Sequence, residues 1–249
     1  MLNRTPLWIT AVAAAAVGLS ACAGGSGKTA TTPSTPNASA SSTPTTPPTT
    51  GSTSRPRKVV ELKAALLELT DLPSGYAIEP AGTSDEGDGS ASSKDQACAP
   101  LVKLINGKTA PGSKSSASVA FSGGQDGPFV DESIDALGSA DAVQALQGSF
   151  KSAVAACPKL TITIPGQGSS TMNVAEVSAP KFGDHTFAAR MTATGGPLEG
   201  LEITQVTAGV KDVVVSITFL AAFPEDIDSG TESAVGKAEV VLGRATAGA

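Results

Sequence analysis

The chain has 249 residues, a formal charge of −6 and a pI near 4.8, and it shows neither a basic stripe nor aromatic interleaving, which excludes nucleic acid as an expected partner. Charged residues make up 16% and aromatics 4%, so a core must be built mainly from Ala, Val, Ile and Leu. One domain of ordinary size remains after a leader and a linker are set aside, long enough to bury such a core.

The sharpest signal lies near the N-terminus. Asn3 and Arg4 open it, an apolar run over residues 7–17 is too short to span a bilayer, and Leu19-Ser20-Ala21-Cys22 follows. In that context the tetrapeptide resembles the lipobox of bacterial lipoproteins. There the cysteine takes a diacylglycerol thioether, the preceding peptide is cut away, and the new N-terminus is often acylated. The resemblance implies a signal peptide over residues 1–21 and lipidation, with chains such as palmitate, at Cys22. An ordinary secretory peptide, which needs only small residues such as Ala21 at its exit, is the alternative. Two or three acyl chains, each buried methylene contributing about 0.8 kcal/mol, would hold the protein on the outer face of a membrane it does not cross.

Residues 22–56 are Gly, Ser, Thr, Pro and Ala with almost no apolar side chain, the composition of a disordered tether. Its ends would sit roughly 30 Å apart as a flexible coil and about 100 Å apart when extended. Gly27-Lys28-Thr29 and Gly107-Lys108-Thr109 resemble the end of a phosphate-binding loop, but the required first glycine falls on Cys22 and Val102. No nucleotide site or other cofactor is expected.

Of three cysteines, Cys98 and Cys157 remain once Cys22 is lipidated, in an exported and disulfide-permissive setting. A Cys98–Cys157 bond would close a loop of about 60 residues, worth roughly 4 kcal/mol by chain entropy. Two free thiols are the alternative.

Residues 57–249 read as the folded domain. Leu62, Ala65, Leu66 and Leu69 recur at helical spacing until Pro73 and Gly75. A short strand is expected over residues 76–80, a polar loop over 81–97, and a turn-rich segment over 99–115. The acids Asp85, Glu86 and Asp88 lack the spacing of a calcium loop, so no metal site is expected. Ala117, Val119 and Phe121 alternate with serines, and Val130, Ile134 and Ala136 alternate with Asp131, Ser133 and Asp135. Glu132 falls on the apolar parity, which implies a bulge or a strand end with a partner, the bulge being the commoner device. Ser139 caps a helix whose stripe is Val143, Leu146, Phe150, Ala153, Val154 and Cys157. Strands follow at Leu160, Ile162 and Ile164, at residues 172–179, at Phe187, Ala189, Met191 and Ala193, at 201–208, and at Val213, Val215, Ile217 and Phe219. A last helix, capped near Asp228 or Ser229, carries Ala234, Val235, Ala238, Val241 and Leu242.

Strands joined by short turns imply an α+β fold, a mainly antiparallel sheet with helices packed on one face as a two-layer sandwich. Phe187, Ala189 and Met191 need the core, so Arg190 must project from the other face with Thr192 beside it. Thr161, Thr163, Ser216 and Thr218 would share that face if their strands lie nearby. Hydroxyls around one guanidinium suit carboxylates, phosphates or sugars, which makes Arg190, Thr192, Thr161 and Thr163 the candidate ligand-binding residues.

The acidic strand Val130-Asp131-Glu132, the cap Ser139-Ala140-Asp141, the Ala-rich helix ending Ala156-Cys157, the Thr/Ile strand after it, and Cys98-Ala99-Pro100 upstream form a pattern. Over residues 59–247 this resembles the extracellular sensor domain of mycobacterial receptor Ser/Thr kinases of the PknH type, which also occurs in actinobacterial lipoproteins without a kinase. The resemblance implies an extracytoplasmic ligand-binding or sensing module with a central cleft and no established catalysis. Family members commonly carry a second disulfide, for which this chain lacks the cysteines. No ligand residue carries over by motif.

Catalysis finds little support in the residues. His185 is the one histidine, no Gly-x-Ser-x-Gly elbow exists, and zinc chemistry lacks ligands. Two classes remain: a lipoprotein binding a small ligand or envelope component, and a structural module binding a protein partner. An apolar-walled pocket with convergent polar groups favours the first, and a flat Ser/Thr face the second.

Overall fold

The computed structural model describes residues 56–79, 89–125 and 127–244. The lipobox and nearly all of the tether lie outside the described residues.

Among the described residues nine strands form one sheet in which every pairing is antiparallel. They are β1 Ala77–Ile78, β2 Ser90–Ser92, β3 Ser115–Ser122, β4 Phe129–Ala136, β5 Lys159–Ile164, β6 Gly168–Val177, β7 Asp184–Ala193, β8 Glu202–Val210 and β9 Val213–Leu220, in the spatial order β1-β3-β4-β9-β8-β7-β6-β5-β2. Among the described residues four α-helices accompany them: α1 Val59–Ala65, α2 Ala99–Ile105, α3 Ala140–Ala156 and α4 Pro224–Arg244. The α+β class and the antiparallel sheet are as the alternation of apolar residues implies. None of these helices is long and apolar enough to cross a membrane.

The helices do not share one face, and here the expected two-layer sandwich needs correcting. Cross-strand register puts Val119, Glu132, Ile217, Val206 and Ala188 in one row on one face. On that face α1 and α4 pack Leu62, Leu66, Ala234, Val235 and Ala238 against β3, β4, β9 and β8. The opposite face of β5, β6 and β7, bearing Leu160, Met172, Phe187 and Met191, is covered by Phe150, Ala153 and Val154 of α3 and Leu101 of α2. In β9, Val213 and Val215 meet the α1/α4 core, while Val214 meets Val143 of α3. Each face is therefore half covered and half open, on opposite halves. Strands covered on both sides bury both parities, which is why residues 206–210 and 213–215 are buried without interruption.

Small residues let the helices come close. A Cβ on Gly230 of α4 would stand 2.9 Å from the Phe219 ring, and one on Gly209 of β8 would stand 3.1 Å from Val143 of α3. Ser139 caps α3 by accepting the Ala142 N–H at 3.2 Å. Cys98, at the start of α2, is bonded to Cys157, at the end of α3, so the disulfide ties the two helices on that face together. Phe150 meets Phe187 edge to face at 5.2 Å, anchoring α3 to β7. At the N-terminal edge, the buried Arg57 guanidinium donates to Asp212 at 2.7 Å and to the Leu242 carbonyl at 3.0 Å, joining the domain's entry point to the β8–β9 turn and the end of α4.

Four local expectations are revised. Residues 99–115 hold α2, with Pro100 in its first turn where a missing N–H costs nothing. The polar loop over 81–97 contains β2, paired to β5. The last helix begins at Pro224, where the Asp226 carboxylate accepts the Phe223 N–H at 3.2 Å, and not at Asp228 or Ser229. Glu132 is neither bulged out nor at a strand end. It pairs mid-strand between Val119 and Ile217, 2% exposed, and its Oε2 accepts the Leu67 N–H at 2.7 Å.

Candidate ligand-binding cleft

The face that carries α2 and α3 is open over β3, β4 and the neighbouring ends of β9 and β8, and a cleft of about 90 Å³ lies where the helical cover stops. Its walls are Leu104 at the end of α2, the turn Gly107 to Pro111, and Leu146, Gln147 and Phe150 of α3. Its floor is Ser133 and Asp135 of β4, Val214 and Ser216 of β9, and Gln205 and Thr207 of β8. The alternation of these strands sets the floor: with Val215, Ile217, Ile134 and Val206 turned to the α1/α4 core, their neighbours must turn the other way.

Three of the lining side chains are almost wholly buried, Asp135 at 1%, Gln147 at 4% and Thr207 at 7% exposure. Each holds an atom with no hydrogen-bond partner: Asp135 Oδ1, Gln147 Oε1 and Thr207 Oγ1. Buried polar atoms are normally satisfied, and each orphan costs about 1–3 kcal/mol. The Gln147 amide is oriented by its Nε2, which donates to the Asp184 carbonyl at 3.3 Å and leaves Oε1 free. Gln147 also lines the neighbouring groove between α3 and the ends of β6 and β7, so it stands between the two hollows.

A row of hydroxyls crosses the cleft floor and continues past it at Ser118. Thr207 pairs with Ser216, Ser216 with Ser133, and Ser133 with Ser118, one residue from each of four adjacent strands. The parallel row on the same face is Gln205, Thr218 and Asp131.

Arg190, Thr192, Thr161 and Thr163 all point away from α3, on the open half of the other face. Arg190 and Thr192 are neighbours there. Arg190 Nε donates to Thr204 Oγ1 at 3.3 Å, and its Nη1 lies 3.8 Å from Glu202 Oε2. Thr161 and Thr163 share the face but not the place. Through β6, Arg190 is level with Ala175 while Thr163 is level with Ser169, a separation of six residues, or about 20 Å along the strand. Thr163 Oγ1 instead shares a 2.7 Å hydrogen bond with Ser169. Ser216 and Thr218, expected on that face, lie on the cleft face.

His185 is exposed at the start of β7, where a register shift and a φ of 51° mark an irregular first turn of strand. It lines the α3–β6–β7 groove near the Lys151–Glu176 pair, at 2.9 Å, and not the cleft. Glu132 lies under the opposite, α1-bearing face, and burial pushes its carboxyl up to about 7, against the lowering effects of the Leu67 N–H and of Lys237.

No protein-family model matches the chain, and no curated protein matches its sequence. Among solved structures it is similar to the extracellular domain of PknH from Mycobacterium tuberculosis, at 16% identity and a TM-score of 0.55, over 76% of this chain and 98% of that one. An alignment with an uncharacterised protein from Mycobacterium smegmatis gives 12% identity and a TM-score of 0.35, over 74% and 93% of the two chains. The likeness to the PknH extracellular domain establishes the fold, an antiparallel sheet with helices.

Proposed function

We propose that this chain is a lipid-anchored extracytoplasmic lipoprotein whose domain binds or senses a ligand of the cell envelope without transforming it. The observation that carries the binding role is the convergence of three buried, unpartnered polar atoms, on Asp135, Gln147 and Thr207, in one cleft with apolar walls. Stability is forgone there, and a ligand that pairs with these atoms recovers it. Location rests on the lipobox at Cys22, on the disulfide, which suits an oxidising compartment, and on the likeness to a domain described as extracellular. A non-enzymatic role fits the separation of His185 from the cleft.

The test is native mass spectrometry of the full chain purified from its own envelope. A co-purifying molecule is expected with the wild type and is expected to be lost or sharply reduced in Asp135→Asn. An absent adduct, or an equal one in both proteins, refutes the cleft as the ligand site.

The open face bearing Arg190 and Thr192 supports a second reading, a surface for a protein partner or a second ligand contact, with Thr161 and Thr163 at its far end. Arg190→Ala is expected to leave the thermal midpoint nearly unchanged and to weaken partner capture, and equal capture removes this face from the function.

A further inference from the structure

We infer that the cleft and the hydroxyl row leading out of it bind a neutral saccharide. This rests on the cleft being a ligand site and adds the chemistry of what enters it. The row Thr207, Ser216, Ser133, Ser118 crosses three strand spacings, about 14 Å, the length of a short oligosaccharide and more than a single sugar ring. It runs from buried Thr207 through half-buried Ser216 and Ser133 to exposed Ser118, so a bound chain would have one end in the cleft and the other in solvent.

The donor and acceptor inventory selects the class. Serine and threonine hydroxyls both donate and accept, and so do sugar hydroxyls, whereas an ammonium only donates and a phosphate mainly accepts. Gln147 Oε1 accepts only, and Asp135 Oδ1 is likewise an acceptor when ionised, which a sugar hydroxyl satisfies directly. An anion is opposed by Asp135, and Lys108, the one cation among the described residues that line the cleft, is exposed and already engaged within the chain. An acyl chain would leave the orphaned acceptors unpaired at the bottom of the site. The apolar side chains that line the cleft, Leu104, Leu146 and Phe150 in its walls and Val214 in its floor, suit the C–H faces of sugar rings.

The experiment titrates the full chain with cellohexaose, maltohexaose and mannohexaose, with spermine and a hyaluronate hexasaccharide as cationic and anionic controls. A parallel arm sediments the protein with its own insoluble cell-wall glycan. Thr207→Val keeps the side chain's shape and removes an unpartnered hydroxyl, so its thermal midpoint should equal or exceed that of the wild type. At least one neutral hexasaccharide, or the insoluble glycan, should bind, and Thr207→Val should weaken that binding about tenfold, the worth of one hydrogen bond. Hexasaccharide binding marks a free sugar, and sedimentation alone marks a segment of a polymer. Neutral sugar binding that Thr207→Val and Ser133→Ala leave unchanged overturns the inference, as does the absence of any sugar binding. Thr207-dependent binding of spermine or hyaluronate alone also overturns it, while leaving the cleft as a ligand site.

Discussion

Glu132 offers a test of the fold that pH alone can perform. Its carboxyl sits 2% exposed in the middle of β4, with Oε2 held by the Leu67 N–H and Oε1 without a partner. Burial raises its pKa from 4.5 to about 7, so the folded state holds its proton where the unfolded chain has lost it. The sign follows from linkage. Between pH 4.5 and 7 the native protein binds more protons than the unfolded chain, so stability falls as pH rises through that window and levels off above it. A raise of this size corresponds to about 3 kcal/mol at about 1.4 kcal/mol per pH unit. The nearby Lys237, paired with Asp71 at 2.7 Å and Glu68 at 3.2 Å, does not blur the window. Asp71 is held below its usual 3.8, although burial opposes this, by the Lys237 and Glu68 hydrogen bonds, so its contribution is lost only in stronger acid. Lys237 is held above 10.5 by its two carboxylates against burial, so its contribution is lost only in strong base.

The perturbation is Glu132→Gln, whose amide oxygen can still accept the Leu67 N–H but which carries no proton to lose. Urea unfolding followed by far-ultraviolet circular dichroism at pH 5, 6, 7 and 8 gives the slope for each protein. Wild type should lose about 2–3 kcal/mol across that range, most of it before pH 7, and the variant should stay nearly flat. The comparison is of slopes, so any repacking common to all pH values cancels. Parallel profiles for the two proteins, or a wild type that gains stability towards pH 8, would refute the burial argument.

Three further outcomes are expected. Cys157→Ala should cost about 4 kcal/mol, because the bond joins residues 59 apart in sequence and so restricts a long loop of the unfolded chain; urea unfolding with a non-reducing peptide map checks both the cost and the pairing. Arg57→Met removes one partner of a buried ion pair and should cost about 3–5 kcal/mol, with Arg57→Met/Asp212→Leu recovering most of it in the same assay. Cys22→Ser should lose both a metabolic palmitate label and the membrane fraction, and a variant that stays on the membrane would show that the anchor is something other than Cys22.

Much of the sheet was legible because alternation is a direct consequence of one face meeting a core. β3, β7 and β9 declare themselves through Phe121, Met191 and Phe219 and their polar neighbours. The distribution of the helices over both faces has its own signal in the sequence. Val213-Val214-Val215 and Phe187-Ala188-Ala189 are unbroken apolar runs, and a strand with one solvated face has no need of the middle residue. Reading only one parity of each run hides the second helical layer. α2 is hidden by the Gly, Pro and Ser residues that follow it up to Ser115, although Pro100 falls in a first helical turn, where proline is favourable. Within the cleft, Gln147 falls inside the stripe formed by Val143, Leu146 and Phe150, and a polar residue in a buried stripe is a reason to look for what it faces. Thr207 carried no comparable mark, since its burial depends on α3 crossing β8 from a distant part of the chain.

The placing of the cleft follows from how the two helical layers divide the sheet. α1 and α4 cover one face of β3, β4, β9 and β8, and α2 and α3 cover the other face mainly at β5, β6 and β7. The layers overlap at β8 and β9, where both faces are buried and the strands need no exposed polar residues. Just beyond that overlap on the α3 face, the floor is rigid, since its reverse side is packed against α1 and α4, yet its upper side is only partly roofed. A binding surface there inherits precise side-chain placement from the core beneath it, while the α2 turn and α3 supply a wall. The Arg190 face differs in its polar groups: α4 flanks it over β8, but the guanidinium already contacts Thr204 Oγ1 at 3.3 Å and Glu202 Oε2 at 3.8 Å. That difference is why the unpartnered atoms of Asp135, Gln147 and Thr207, and not the better-paired guanidinium of Arg190, carry the proposed binding role.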